Sequence, residues 1–334
     1  MPGLIETITT SGNQQVNENM IYHSRQLLGR LIPKLVHNRF CVVGDLPMNS
    51  GTKLSKRRIE RLVPNESPVK ITEGISNQSI NPTITLVEMS PDQYGDFIKV
   101  SDRYKMQSID NIISEYTSLM SQLGQETFDT VIRNGVMTFT NIIYGGPALA
   151  ETDIDDRCIM TKSLIERASA FLNGKDAMPI GVDGANYVAV MHPDVAFNLS
   201  RDPMWVEINK NAPESLFKNE VGVVGNTRIV TTTRAYKNVG GGSSTAANIL
   251  YSQKNSGGTA ATVYYTLVLS FEAAMTCPLG GSSTPRMIYK DFGSAGTNDP
   301  YNQLATIAYT GGLVSKVLDN NRGVIIKTSA TITA

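Results

Sequence analysis

Cysteine is scarce in this chain. Cys41, Cys158 and Cys277 are the three, widely spaced and odd in number. That count excludes a disulfide scaffold and suits reduced thiols in a cytoplasm-like compartment. No Cys-x-x-Cys occurs. No Gly-rich loop ends in Lys-Ser or Lys-Thr, and no Gly-x-Ser-x-Gly is present, so phosphate-loop and serine-esterase chemistry lack their usual framework. Net charge of either sign is absent, with Lys+Arg and Asp+Glu at 30 each. A dedicated nucleic-acid binder would carry a basic excess. Long apolar runs are missing too. Val263 to Cys277 is short and contains Glu272, so no bilayer span is expected. Met1-Pro2-Gly3-Leu4-Ile5-Glu6 has neither the basic flank nor the apolar core of a secretion signal.

What is present is long enough, at 334 residues, for two packed domains or one domain with large excursions. The charge is uneven. Met1 to Val63 holds nine Lys/Arg against four Asp/Glu, a net of +5, and the remainder balances it at −5. Such asymmetry suits attraction between neighbouring copies or uneven surface charge without a partner. Residues 1–16 read as a polar arm. From Asn17, Met20, Ile21, Leu27, Leu28, Leu31, Ile32, Leu35 and Val36 form an apolar stripe. Arg25, Arg30, Lys34 and Arg39 make the other faces basic, and Gly29 and Pro33 predict a kink.

Residues 47–104 form a charged excursion with little apolar surface. Lys53, Lys56, Arg57, Arg58 and Arg61 cluster at its start. Thr83 to Met89 and Phe97 to Val100 read as strands joined around Tyr94-Gly95. So long a segment is rare in a compact domain unless it has a task, and we expect a two-stranded hairpin reaching from the body. Its basic run could hold nucleic acid or an acidic surface of a neighbouring subunit. The lack of interleaved aromatics favours the protein partner. Gln107 to Asn134 keeps a helical period with only Gly124 as a weak breaker. That predicts a spine about 40 Å long. A second helix is expected over Asp156 to Asn173. Strands are expected at Tyr187–Met191, Val221–Val224, Thr227–Thr233, Tyr264–Ser270, Leu304–Tyr309 and Gly323–Thr328. The fold class is α+β with a mixed sheet.

Candidate chemistry is thin. His23 and His37 are expected on a solvated basic face. His192, at a strand end before Pro193 and Asp194, could serve as a hydrolase base, but Asp194 as the N-cap of a following helix explains the motif. Asp153, Asp155 and Asp156 resemble metal ligands, but a helix N-terminus accounts for them. Gly222 and Gly225 read as bulge or turn glycines, and Trp205 as a packing anchor. No catalytic, metal or cofactor site is assigned.

Taken in order, these pieces resemble a tailed-phage major capsid protein of the Hong Kong 97-type fold, from about residue 20 to residue 328. Thr72-Glu73-Gly74 and Gln93-Tyr94-Gly95 resemble parts of that family's extended loop, and Gln107 to Asn134 its spine helix. Tyr187 to Asp194 with Arg201-Asp202-Pro203-Met204-Trp205 resembles the start of its axial domain. Glu220 to Val230 resembles its Gly-x-x-Gly-x-x-x-Val pattern, and Asp299-Pro300-Tyr301-Asn302-Gln303-Leu304 to Thr328 its closing strands. The resemblance implies an N-terminal arm and helix (1–46), an extended hairpin loop (47–104), a peripheral domain (105–183 with 301–334) and an axial domain (184–300).

It further implies a virion shell subunit, assembled in a host cytoplasm into hexamers and pentamers around double-stranded DNA. Its partners would be itself, scaffolding, portal and decoration proteins, and packaged DNA by weak non-specific contact, with no membrane and no cofactor. Lys53, Lys56, Arg57, Arg58, Arg61 and Tyr94 are the expected subunit contacts. Arg25, Arg30, Lys34 and Arg39 are expected to meet a neighbour or the inner surface. Some relatives crosslink Lys to Asn beside an acid, and that trio is not identifiable here. The alternatives are an encapsulin-like bacterial compartment of the same fold, a hydrolase using His192, and a tail or adhesin protein, which the long helix disfavours.

Overall fold

The computed structural model describes residues 35–47, 51–62, 66, 70–74, 79–108, 112–180, 186–205, 220–243, 261–280, 284–294 and 299–331. The arm and the expected helix from Asn17 lie outside the described residues as far as residue 34, as do His23, Arg25, Arg30 and Lys34; Leu35 and Val36, the expected end of its apolar stripe, are not helical and lead into a 3-10 turn, His37–Phe40.

Two sheets organise the chain. The first has five strands: β1 (Val42–Val43), β4 (Asp92–Ser101), β11 (Ala274–Pro278), β12 (Arg286–Lys290) and β13 (Leu304–Val317). β13 is its centre. Ten successive residues of β4 pair with it, and β12 and β11 share its other side. Ile98, Val100, Met287, Ile307 and Tyr309 point to one face. There they meet helix α2 (Ile112–Val136), whose Met120, Phe128, Ile132 and Val136 are buried. At 25 residues the spine is about 38 Å long. It begins later than the sequence predicts, because a short helix, α1 (Asp102–Gln107), precedes it, capped by the Ser101 hydroxyl. Gly124 and Gly135 let the spine lie close to the sheet. A side chain at Gly135 would run into the Ser315 carbonyl.

The turn expected at Tyr94-Gly95 does not exist. Both residues lie inside β4, paired with Gly311 and Thr310. Gly95 is there for close approach: a Cβ would sit 2.8 Å from the Tyr309 carbonyl oxygen. The hairpin is built instead from β2 (Leu54–Ile59) and β3 (Ile84–Met89), antiparallel and in register from Leu54–Met89 to Ile59–Ile84.

The second sheet has seven strands. β10 (Val263–Leu269) lies between β14 (Gly323–Thr328) and β6 (Tyr187–Met191). β8 (Thr227–Thr231) runs parallel to β6, and β7 (Glu220–Val224) returns against it. β5 (Ile142–Tyr144) and β9 (Lys237–Asn238) complete the sheet. Gly225 takes a positive φ at the β7–β8 turn, and the ladder bulges between Glu220 and Gly222, as expected for these glycines. Helices α3 (Lys162–Gly174) and α4 (Pro193–Ser200) bury Ile165, Ala168, Leu172, Val195 and Leu199 against this sheet, with Trp205 in the same core.

The sheets divide the chain differently from the expected domain ranges. β11 and β12 fall within 184–300 yet join the first sheet. β5 and β14 fall within 105–183 and 301–334 yet join the second. Burial explains the split between β13 and β14. β14 is buried at every residue, with core on both of its faces, whereas β13 alternates and covers one helix.

Helix α3 also starts six residues later than expected, so the acids before it do not cap it. Asp155 accepts from the Arg157 N–H and the Cys158 thiol instead. The Lys162 N–H is taken by Asp202. Among the described residues no helix is long and apolar enough to cross a membrane.

Candidate assembly interface

The β2–β3 hairpin has two unlike faces. Strand alternation turns Leu54, Lys56, Arg58, Val87 and Met89 one way and Ser55, Arg57, Ile59, Ile84, Leu86 and Glu88 the other. The first face meets the body: Leu54 and Met89 pack with Leu46, Met275 and Val314. The second is open, and Ile59, Ile84 and Leu86 are each more than half exposed. Ile59 stands directly opposite Ile84. Apolar side chains grouped on an open strand pair contribute little to a lone chain and mark a surface for association.

The expected interface cations separate into two groups. Lys53 pairs across the strands with Glu88 at 3.2 Å. Arg58 clasps Glu60 through Nε and Nη2 at 3.0 and 2.6 Å. Its Nη1 donates to the Leu318 carbonyl at 2.9 Å and faces Asp319 at 3.1 Å. The Thr85 hydroxyl, and then Arg58, hold the Glu60 carboxyl below the usual carboxylate range. Arg61 pairs with Asp176. The Lys316 ammonium adds a bond to the Glu88 carbonyl. Lys53, Arg58 and Arg61 therefore have partners within their own chain, and Arg58 and Arg61 tie the hairpin to the body. Lys56 and Arg57 are exposed and have no ion pair among the described residues.

Tyr94 is half-buried against the core between α2 and the sheets, and burial pushes its phenol upward. It belongs to internal packing and not to the hairpin. Arg39 is exposed, in a short 3-10 turn, His37–Phe40. His37 corrects the expectation of a solvated face. It is buried, with Nδ1 2.8 Å from Asp129 Oδ2 and its backbone N–H on Oδ1. The pair fastens this turn to the spine. Burial, and then Asp129, pushes the nearby Cys41 thiol up to about 12.

His192 also corrects its reading. It is itself the N-cap of α4: Nδ1 accepts from the Asp194 N–H, and Pro193 takes the first helical position. Its ring packs against that of Tyr264, tilted 49° with centroids 5.2 Å apart, and the Tyr264 hydroxyl donates to Asp194. The capping nitrogen is occupied, and burial lowers the ring's pKa. No serine hydroxyl bonds to it among the described residues. One cluster escaped sequence reading altogether. Glu151 accepts from Asn238, Tyr265 and Lys327, joining β9, β10 and β14.

No protein-family model matches this sequence, and no curated protein does. Solved structures do match. The capsid of Ralstonia phage GP4 aligns at TM-score 0.69 and 16% identity over 98% of this chain and 100% of that one. The Cyanophage Pam1 capsid aligns at 0.69 and 9%, over 96% and 99%. The head structure of Helicobacter pylori bacteriophage KHP40 aligns at 0.62 and 12%, over 96% and 97%. At such identities the likeness establishes the fold, and the chain has the α+β Hong Kong 97-like capsid fold.

Proposed function

We propose that this chain is the major capsid protein of a tailed phage. In this reading it self-assembles into hexamers and pentamers that close an icosahedral shell around double-stranded DNA. The observation that carries it is the full-length match in both directions to phage capsid subunits. The first sheet with its spine serves as the peripheral domain. The second sheet, covered by α3 and α4, serves as the axial domain.

The hairpin's open face lies on an adjacent subunit. Ile59, Ile84 and Leu86 are buried there and Arg57 beside them meets acidic groups of that neighbour, while Lys56, exposed although it lies on the hairpin's other face, meets acidic groups at the edge of the contact. Arg39, which is exposed, meets a neighbour or the inner surface. Many modest contacts repeated by symmetry stabilise the whole. The balanced charge suits a container that holds DNA without gripping it.

The test reverses Lys56 and Arg57 to Glu and leaves Arg58 and Arg61 in place, so the hairpin stays tied to its own body. The double variant should keep the wild-type circular dichroism spectrum and lose particles by electron microscopy. Normal particles from it would overturn the hairpin contact.

A further inference from the structure

Glu151 holds two groups that can react with each other. Lys327, on β14, stands between Tyr144 on β5 and Tyr265 on β10. Its side chain is 10% exposed. It crosses the Tyr265 ring, with Nζ 4.6 Å from the centroid, and ends 2.6 Å from Glu151 Oε2. Asn238 comes from β9, on the other edge of β10, and its Nδ2 donates to Glu151 Oε1 at 2.7 Å. One carboxylate therefore gathers an amine and a carboxamide from opposite sides of the same strand.

The surroundings are apolar. Ala148, Ile154, Cys158 and Val263 are buried around Tyr144 and Tyr265. Tyr236 stands edge-on to Tyr265, with centroids 4.7 Å apart. Gly241 closes the site, since any side chain there would run into the Asn238 amide. Burial pushes the Glu151 carboxyl up, but the hydrogen bonds from Lys327, Tyr265 and Asn238 outweigh it and hold the carboxyl below its usual range. Glu151 is thus ionised, the state in which it accepts a proton.

An amine becomes a nucleophile once a base in contact with it has taken its proton. Well-oriented neighbours react as if at about 10⁵ M or more, which is what so slow an exchange as amine for amide requires.

We propose that Lys327 and Asn238 are joined by an isopeptide bond formed within the chain. Glu151 Oε2 takes a proton from the Nζ ammonium. The free amine attacks Asn238 Cγ, so that an Nζ–Cγ bond forms and the Cγ–Nδ2 bond breaks. Nδ2 leaves as an ammonium ion that carries two protons from Lys327, both passed through Glu151. Nothing is oxidised or reduced, and Glu151 ends as a carboxylate. The bond staples β9 to β14 across β10. It lies inside one chain and stands or falls apart from the shell reading.

Mass spectrometry of the purified full-length chain, held at neutral pH, tests this. The intact wild type should lack one ammonia relative to its sequence. Trypsin should release a branched peptide in which 238–254 is joined to 323–334, with Lys327 uncut. N238A and E151Q, shown to be folded by circular dichroism, should each keep the full mass of their own sequence and give the two peptides separately. A wild type of full mass, with 323–327 released by itself, overturns the proposal and leaves the trio as an ion pair with hydrogen bonds. An ammonia loss that maps elsewhere, as to Asn173-Gly174, overturns it equally. The branched peptide persisting in E151Q would overturn the role given to Glu151. The wild-type measurement decides the bond itself even where a variant fails to fold.

Discussion

His192 shows what a single residue does at the junction of β6 and α4. It caps the helix with Nδ1 while its ring lies against Tyr264. Burial first, and Lys237 in addition, lowers its pKa below the ordinary 6.5, with Asp194 opposing. The unfolded chain therefore takes up the proton more readily than the folded one. Stability from this site is present above the ordinary value and lost as pH falls through it. The urea midpoint should thus fall between about pH 8 and about pH 5.5, and H192N, which keeps a capping acceptor but does not titrate, should flatten that fall. An unchanged slope in H192N would assign the dependence elsewhere. The strand-to-helix step was legible from His192-Pro193-Asp194, but the identity of the cap was not. Asp194 is the commoner capping type, and only the fold shows its carboxylate taken by Tyr264, 70 residues away. His37 was misread for the same reason, since Asp129 lies 92 positions along the chain.

Helix α2 and strand β13 carry the first sheet, and their contact depends on what is missing from Gly135. A methyl group there meets the Ser315 carbonyl. G135A should therefore destabilise the chain by about 1–3 kcal/mol in urea titration, despite alanine's better helix propensity. Equal or higher stability would show that the spine is free to lift. The spine was readable because its apolar period persists over many turns. β6, β10 and β14 were readable as continuous apolar runs. The element read wrongly was β4. Tyr94-Gly95 has turn composition, yet the strand continues through it because β13 offers ten consecutive partners. Gly95 is needed there for clearance. The assignment of strands to sheets was not legible, because β13 and β14 are neighbours in sequence and belong to different sheets.

For the whole molecule, the balanced charge hides a division of labour. Arg58 and Arg61, counted from the sequence as contacts for a neighbour, are used to hold the chain's own hairpin. Glu151, Asn238 and Lys327, which drew no notice, converge on one point of the second sheet. Convergence of that kind requires knowing that β9 and β14 pair with opposite edges of β10. The open apolar face of the hairpin and the full-length match to phage capsids share one explanation in copies of this chain meeting each other. Negative-stain electron microscopy of the purified full-length protein, taken across a concentration series, tests that claim most directly. The account predicts closed particles, tubes or ring-shaped capsomers. A monomer that persists at every concentration would contradict it.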